Sequence, residues 1–144
     1  AALIPDWVEG YRLYTCGGVA YMDAVFAAAT ARGWPEAALA REYFSVPEAP
    51  DYVNHPFTLR LGDSGREIAV TPEQSATDAL AEAGITVPMK CRDGICGVCA
   101  VAHRGDAPIE HRDYVLSARE RQGRVVLCCS RPAEPGAVLT IEMP

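Results

Sequence analysis

Cys91-Arg92-Asp93-Gly94-Ile95-Cys96-Gly97-Val98-Cys99 decides the reading of this chain, with further thiols far downstream at Cys128 and Cys129. Four residues separate the first two cysteines and two separate the next pair. C-x4-C-x2-C followed by a distant cysteine is the ligand spacing of a [2Fe–2S] cluster. Soft thiolate donors suit iron in tetrahedral sites. The loop must also curl tightly around what it holds. Gly94 and Gly97 can take positive φ, and their missing side chains let main-chain N–H groups approach sulfur. Such donors offset the negative charge of a cluster and help set its potential.

Competing chemistries fit less well. A zinc ribbon has two close cysteine pairs, and here only Cys96 and Cys99 make one. A Rieske centre needs two histidines in place of two cysteines, and no C-x-H or C-x-x-H pairing occurs. A disulfide set or unrelated buried cysteines would not require this spacing. His103 and His111 are expected at the surface or in hydrogen bonds. The distant ligand is Cys128 or Cys129, within Val125-Val126-Leu127-Cys128-Cys129-Ser130-Arg131-Pro132. A strand sends adjacent side chains to opposite faces, so only one of the two can reach iron.

This stretch resembles the plant-type ferredoxins and, more closely, the ferredoxin domain of the phthalate dioxygenase reductase family. In that family the last ligand is followed by a small residue and then Ser-Arg. Cys128 followed by Cys129-Ser130-Arg131 fits that pattern. The resemblance therefore makes Cys91, Cys96, Cys99 and Cys128 the ligands and leaves Cys129 as a buried structural thiol.

The chain has 144 residues, of which 49% are apolar, enough for one domain and part of another. Its net charge of −6 argues against a nucleic-acid partner. No apolar run reaches membrane-spanning length and no signal peptide is evident. Four of the six cysteines belong to the cluster motif, which makes a reducing cytoplasm the expected compartment. Residues 1–54 carry three arginines against seven acidic residues, so most basic residues lie in the cluster half. The chain opens at Ala1 in sequence of internal character, and a piece of a longer protein is expected.

Residues 12–15 predict a strand, Cys16-Gly17-Gly18 a turn, and residues 20–32 an Ala-rich helix closed by Gly33. A short helical turn over 37–41 and a strand over 41–44 follow. Strand, glycine turn and helix together suggest a piece of an α/β nucleotide-binding layer. Cys16-Gly17-Gly18 resembles the turn that lies beside the nicotinamide in ferredoxin-reductase-like enzymes. Glu42-Tyr43-Phe44 resembles that family's closing strand, whose aromatic end lies near the flavin. Cys16, Gly17, Gly18 and Phe44 are cofactor-contact candidates on that resemblance alone, as Gly94 and Gly97 are at the cluster. Arg12-Leu13-Tyr14-Thr15 matches the R-x-Y-[S/T] flavin motif only by coincidence, because in the family that motif lies on a separate barrel upstream. With neither that barrel nor a G-x-G-x-x-G loop, this chain alone is expected to bind flavin and nucleotide poorly.

Residues 45–56 hold Pro47, Pro50 and Pro56 and predict a semi-stiff linker. From Phe57 the pattern alternates. Phe57, Leu59 and Leu61 share a face, Gly62-Asp63-Ser64-Gly65 turns, and Ile68 and Val70 return. Thr71 or Pro72 opens a helix through Ala83, closed by Gly84, with Ala76, Ala79, Leu80 and Ala83 inward. Strands are predicted over 98–104, 125–129 and 138–141, with a short helix capped by Asp113 running to Arg121. The fold class is α+β, a β-grasp ferredoxin-like domain over 57–144. It follows a nucleotide-domain remnant over 1–48 and a linker over 49–56.

The function expected is electron transfer through a [2Fe–2S] cluster, in the C-terminal part of a flavin/iron–sulfur oxygenase reductase. The resemblance implies that hydride passes from NAD(P)H to FMN in the whole enzyme, with a Rieske-type terminal oxygenase as partner. Lys90, Arg92 and Arg131 are expected as cations at the cluster rim. The apolar face of residues 1–48 is expected either to pair with a second copy of the chain or to stay loosely ordered. The alternative is a free-standing ferredoxin with an N-terminal extension.

Overall fold

The computed structural model describes residues 4–47 and 50–143. The chain divides into two compact units, Ala1–Glu48 and Ala49–Pro144.

In the first unit, strand β1 (Leu13–Cys16) leads through Gly17 and Gly18 into helix α1 (Val19–Thr30). A 3-10 turn (Glu36–Ala38) then feeds strand β2 (Leu39–Glu42). The strands pair in parallel, from Leu13 opposite Leu39 to Cys16 opposite Glu42. The predicted helical turn and closing strand therefore lie earlier than expected. Pro35 starts the 3-10 turn, and Leu39 is already extended, so Phe44 falls beyond the strand. Gly33 does not cap α1 directly. Ala31 does, and Gly33 (φ +80°) turns the chain back with its N–H on the Thr30 carbonyl. Ala29, Trp34 and Ala38 form a small core with Leu13 and Leu39, and the Trp34 indole donates to the Pro5 carbonyl.

The second unit is built on a mixed five-stranded sheet. Its strands are β3 (Phe57–Leu61), β4 (Glu67–Val70), β5 (Ala100–Arg104), β7 (Arg124–Val126) and β9 (Val138–Glu142), in the order β4-β3-β9-β5-β7. β3 and β9 run parallel, and the other neighbours run antiparallel. β6 (Ile109–Glu110) and β8 (Arg131–Pro132) form a separate ribbon that the sequence pattern does not announce. A mixed sheet with few helices fits a ferredoxin-like fold. Leu59, Val70, Leu80, Val125, Leu127, Leu139 and Ile141 are fully buried at its centre.

Helix α2 (Ala76–Glu82) starts later than predicted. Ser75 is its N-cap and completes a capping box with Asp78, so residues 71–74 form a turn before it. Gly84 (φ +80°) donates to the Ala81 carbonyl and Ile85 to the Leu80 carbonyl, a Schellman closure. The helix predicted from Asp113 does not form. The Asp113 carboxylate caps only a turn, accepting from the Leu116 and Val115 amides, and a 3-10 turn (Glu120–Gln122) follows. The strand predicted over 125–129 stops at Val126, and residues 127–129 are a turn.

Candidate metal centre

The loop 91–99 has no regular structure and runs directly into β5. Three of its residues lie in the left-handed region: Arg92 (φ +66°), Gly94 (+74°) and Gly97 (+69°). Arg92 is the only such non-glycine among the described residues. This curl turns main-chain donors inward. The Asp93 amide lies 3.4 Å from Cys91 Sγ, and the Ile95 and Cys96 amides donate to the same sulfur. The Gly94 amide donates to the Cys128 thiol.

The four motif thiols stand in two pairs, Cys91 with Cys96 and Cys99 with Cys128, and Cys128 also meets Cys129. Among the described residues, no three His, Cys, Asp or Glu side chains gather around one metal position. Two pairs match a dinuclear cluster, which takes four cysteines over two irons. Burial alone would raise the Cys91 pKa, but the three amides and the Cys96 thiol outweigh it and bring it down to about 7. Cys99 moves up, because it hydrogen-bonds to the Cys128 thiol and is buried. Cys128 is pushed up to about 12 by its hydrogen bond to Cys129, with burial adding to the shift. A cluster supplies the positive iron that such buried thiolates need. The donor set and the inward amides therefore fit a [2Fe–2S] group.

Cys128 and Cys129 are not separated by strand alternation, because they lie in the turn after β7. Both are half-buried, and their thiols touch each other. Their other partners differ. Cys128 meets Cys99 and the Gly94 amide, whereas Cys129 lies 3.8 Å from the Val126 carbonyl and 3.8 Å from Ser130 Oγ. A Cβ on Gly94 would stand 2.8 Å from Cys129 Sγ and 3.2 Å from Asp113 Cα. Gly94 is thus required by its neighbours as well as by its φ. Gly97 packs against Val115, which a Cβ there would meet at 3.3 Å.

Sequence reasoning missed what lies behind the loop. Asp113 is buried beside Gly94, and its Oδ1 lies 3.5 Å from His111 Nδ1, without a hydrogen bond between them. The Arg121 guanidinium donates to the Asp113 carbonyl at 2.6 Å. Burial lowers the His111 pKa, which keeps the ring neutral. His111 and His103 are both half-buried, and His111 is a hydrogen-bonding residue, bound to the Arg121 main chain. The signal available was Asp113 itself, an acid with cap spacing to Leu116 in an apolar stretch.

Arg131 is not a rim cation. It is buried, and its guanidinium is bound to main-chain carbonyls of His55, Thr71 and Pro72. Lys90 and Arg92 are exposed, and Arg92 lies 3.9 Å from Asp78. In the other unit, Cys16 sits at the carboxyl end of β1, opposite Glu42. Gly17 and Gly18 follow it, and Phe44 lies two residues beyond β2, so all four flank the carboxyl ends of the same parallel pair. Cys16 also lines an open recess of about 330 Å³ with Tyr14, Thr15, Ala40, Arg41 and Glu42.

Residues 59–133 match the 2Fe-2S iron-sulfur cluster binding domain family. The chain is 34% identical over 143 residues to a vanillate O-demethylase oxidoreductase of Pseudomonas sp. (strain HR199 / DSM 7063), covering 98% of this chain and 45% of that protein. It thus spans less than half of that relative. The solved phthalate dioxygenase reductase is described as a modular structure for electron transfer from pyridine nucleotides to [2Fe-2S]. It superposes with a TM-score of 0.68 at 30% identity, over 96% of this chain and 41% of that one. An intact type IV self-sufficient cytochrome P450 monooxygenase superposes with a TM-score of 0.71 at 33% identity, over 96% of this chain and 18% of that one.

Proposed function

The chain belongs to the 2Fe-2S iron-sulfur cluster binding domain family, and from that membership we propose that Cys91, Cys96, Cys99 and Cys128 are the ligands of its cluster. The observation that carries this is the two thiol pairs, Cys91 with Cys96 and Cys99 with Cys128 from the turn after β7, beside a loop whose amides face sulfur. We propose further that the chain is the electron-delivering part of an oxygenase reductase. Its relatives' names support that reading, and they are reductases and oxygenase systems. When bound, the cluster supplies a one-electron carrier between two-electron nucleotide chemistry and an oxygenase.

The chain's own residues place and shield that carrier. The loop amides hold negative charge on sulfur, and Gly94 and Gly97 let the backbone close in. Lys90 and Arg92 present positive charge beside Cys91 to an acidic face on the oxygenase. In the whole reductase, Cys16, Gly17 and Gly18 approach the pyridine nucleotide and Phe44 the FMN. Placement at the carboxyl ends of parallel strands supports this. The oxygenase served is of the Rieske type, a reading that rests on the resemblance to phthalate dioxygenase reductase.

Iron and acid-labile sulfide analysis of the purified chain should find about two of each. A single zinc and no sulfide would sink the ligand assignment. The chemically reduced chain should then reoxidise on mixing with a Rieske oxygenase. Reoxidation by a cytochrome P450 alone would replace the Rieske partner. Arg92→Glu should slow that transfer several-fold at low salt and lessen its salt dependence, and a rate unchanged at every ionic strength would remove the steering role.

A further inference from the structure

Residues 45–56 have the composition of a linker, yet their second half is held down on the cluster unit. The Arg112 guanidinium stacks on the Tyr52 ring at 4.2 Å. Its Nη1 donates to Asn54 Oδ1 at 2.6 Å and its Nη2 to the Val53 carbonyl at 3.4 Å. Its Nε donates to Glu110, which fixes the plane of the fork. Asn54 Nδ2 donates in turn to the Pro72 carbonyl at 2.9 Å. One residue further on, Arg131 takes the His55 carbonyl at 3.0 Å. The same guanidinium reaches the Thr71, Pro72 and Gln74 carbonyls and lies over the Phe57 ring. Among the described residues, every one of its hydrogen-bond acceptors is a main-chain carbonyl, so this buried cation serves to hold backbone.

Arg131 lies in the segment that carries the fourth thiol, and Arg112 is bonded to that segment from the β6 side. Arg131 follows Cys128 by three residues, and the Arg112 amide donates to Ser130 Oγ at 3.2 Å. The β6–β8 ribbon joins Glu110 to Arg131. We propose that Arg112 and Arg131 are positioning residues, which staple residues 52–55 to the turn holding Cys128. A planar fork with several donors can bind successive carbonyls and an aromatic face together, which a lysine cannot. The staple takes four residues out of the adjustable length of the connection. It makes the departure point of the tether and the fourth-ligand turn one rigid piece. A shorter tether raises the effective concentration of a donor carried on the preceding unit. That last consequence rests on the reductase reading above. The staple itself does not.

Chymotryptic cleavage after Tyr52, followed by mass spectrometry on the cluster-loaded chain, tests the staple. Arg112→Ala should speed the Tyr52–Val53 cut on the order of tenfold, because cleavage tracks the population of the undocked segment. The cut after the exposed Phe44 and the visible spectrum should not change. Asn54 is exposed, so Asn54→Ala carries the same test without threatening the fold, with a rise of a few-fold expected. Unchanged cutting in both variants would overturn the staple. In the whole reductase, Arg112→Ala should slow nucleotide-driven reduction of the cluster while chemical reduction keeps its rate. Equal slowing of both, or of neither, would overturn the positioning role. If the unaltered whole protein takes no electrons from NADH or NADPH, the reductase reading fails, and the cleavage comparison still decides the staple.

Discussion

Cys128 and Cys129 are neighbours in sequence and in space, and their partners alone set them apart. Cys128 shares its thiol with Cys99 and receives the Gly94 amide, while Cys129 faces the Val126 carbonyl and Ser130. Cys128→Ser should therefore abolish the visible absorption of the loaded chain, and Cys129→Ser should keep most of it. The reverse pattern in the two spectra would name Cys129 as the ligand. Gly94 is the more sensitive position structurally. An alanine there would take a φ of +74° and place its Cβ 2.8 Å from Cys129 Sγ. Gly94→Ala should cost roughly 1–3 kcal/mol in denaturant unfolding of the metal-free chain and lower iron uptake. Adding Cys129→Ser should restore only part of that, because Asp113 Cα and the Arg112 carbonyl still crowd the site. Full recovery would show that the thiol contact alone excluded the methyl. The motif spacing and both glycines were legible in the sequence, since ligand chemistry demands them locally. The buried Asp113–His111–Arg121 group was not, because residues 111–121 form a loop and turns whose contacts follow no helical or strand period.

Among the elements, α2 shows how far local chemistry reaches. Its apolar residues and its glycine stop follow the predicted helix, but its start lies at Ala76. A proline at an early helical position was the misleading signal, and Ser75 with Asp78 was the stronger one. Ser75 Oγ accepts the Asp78 amide at 3.1 Å, and the Asp78 carboxylate accepts the Ser75 amide at 3.1 Å. Ser75→Ala should cost about 1 kcal/mol of stability, read as a lowered midpoint in urea. Hydrogen bonds from the Ser75 hydroxyl and amide hold the Asp78 pKa below its ordinary value. Its contribution is thus complete above the ordinary carboxylate range and is lost as pH falls through the lowered value. Asp78→Asn should flatten that part of the pH–stability curve, and an unchanged slope would deny Asp78 the role. Strand β7 and the turn after it mark the opposite limit. Val125 to Cys129 carry an apolar run that extends a strand by pattern, yet the chain must bend at Leu127 to bring Cys128 back to the loop. Arg131 is a similar case. Its charge suggests solvent, and only the carbonyls from distant segments explain its burial.

At the scale of the molecule the two units are unequal. The cluster unit closes an apolar core, while the first unit has a small one and leaves Tyr14 (73%), Tyr21 (60%) and Phe44 (73%) exposed. A two-stranded parallel pair of this kind normally lies within a larger covered sheet. The isolated chain should associate as its concentration rises, through residues 1–48, and light scattering across a dilution series should show the mass climbing above 15.5 kDa. A constant monomer mass would mean that these aromatics tolerate water. The cluster sheet has its own asymmetry in time. β9, the middle strand of the five, is the last in sequence, and it pairs in parallel with β3, the first strand of the unit. Neither half of the sheet can join the other until β9 has been synthesised. At roughly 5–20 residues per second, the cysteine loop leaves the ribosome several seconds before the strand that will anchor its surroundings. During that interval its thiols face whatever metal or oxidant surrounds the nascent chain, unshielded by a finished fold.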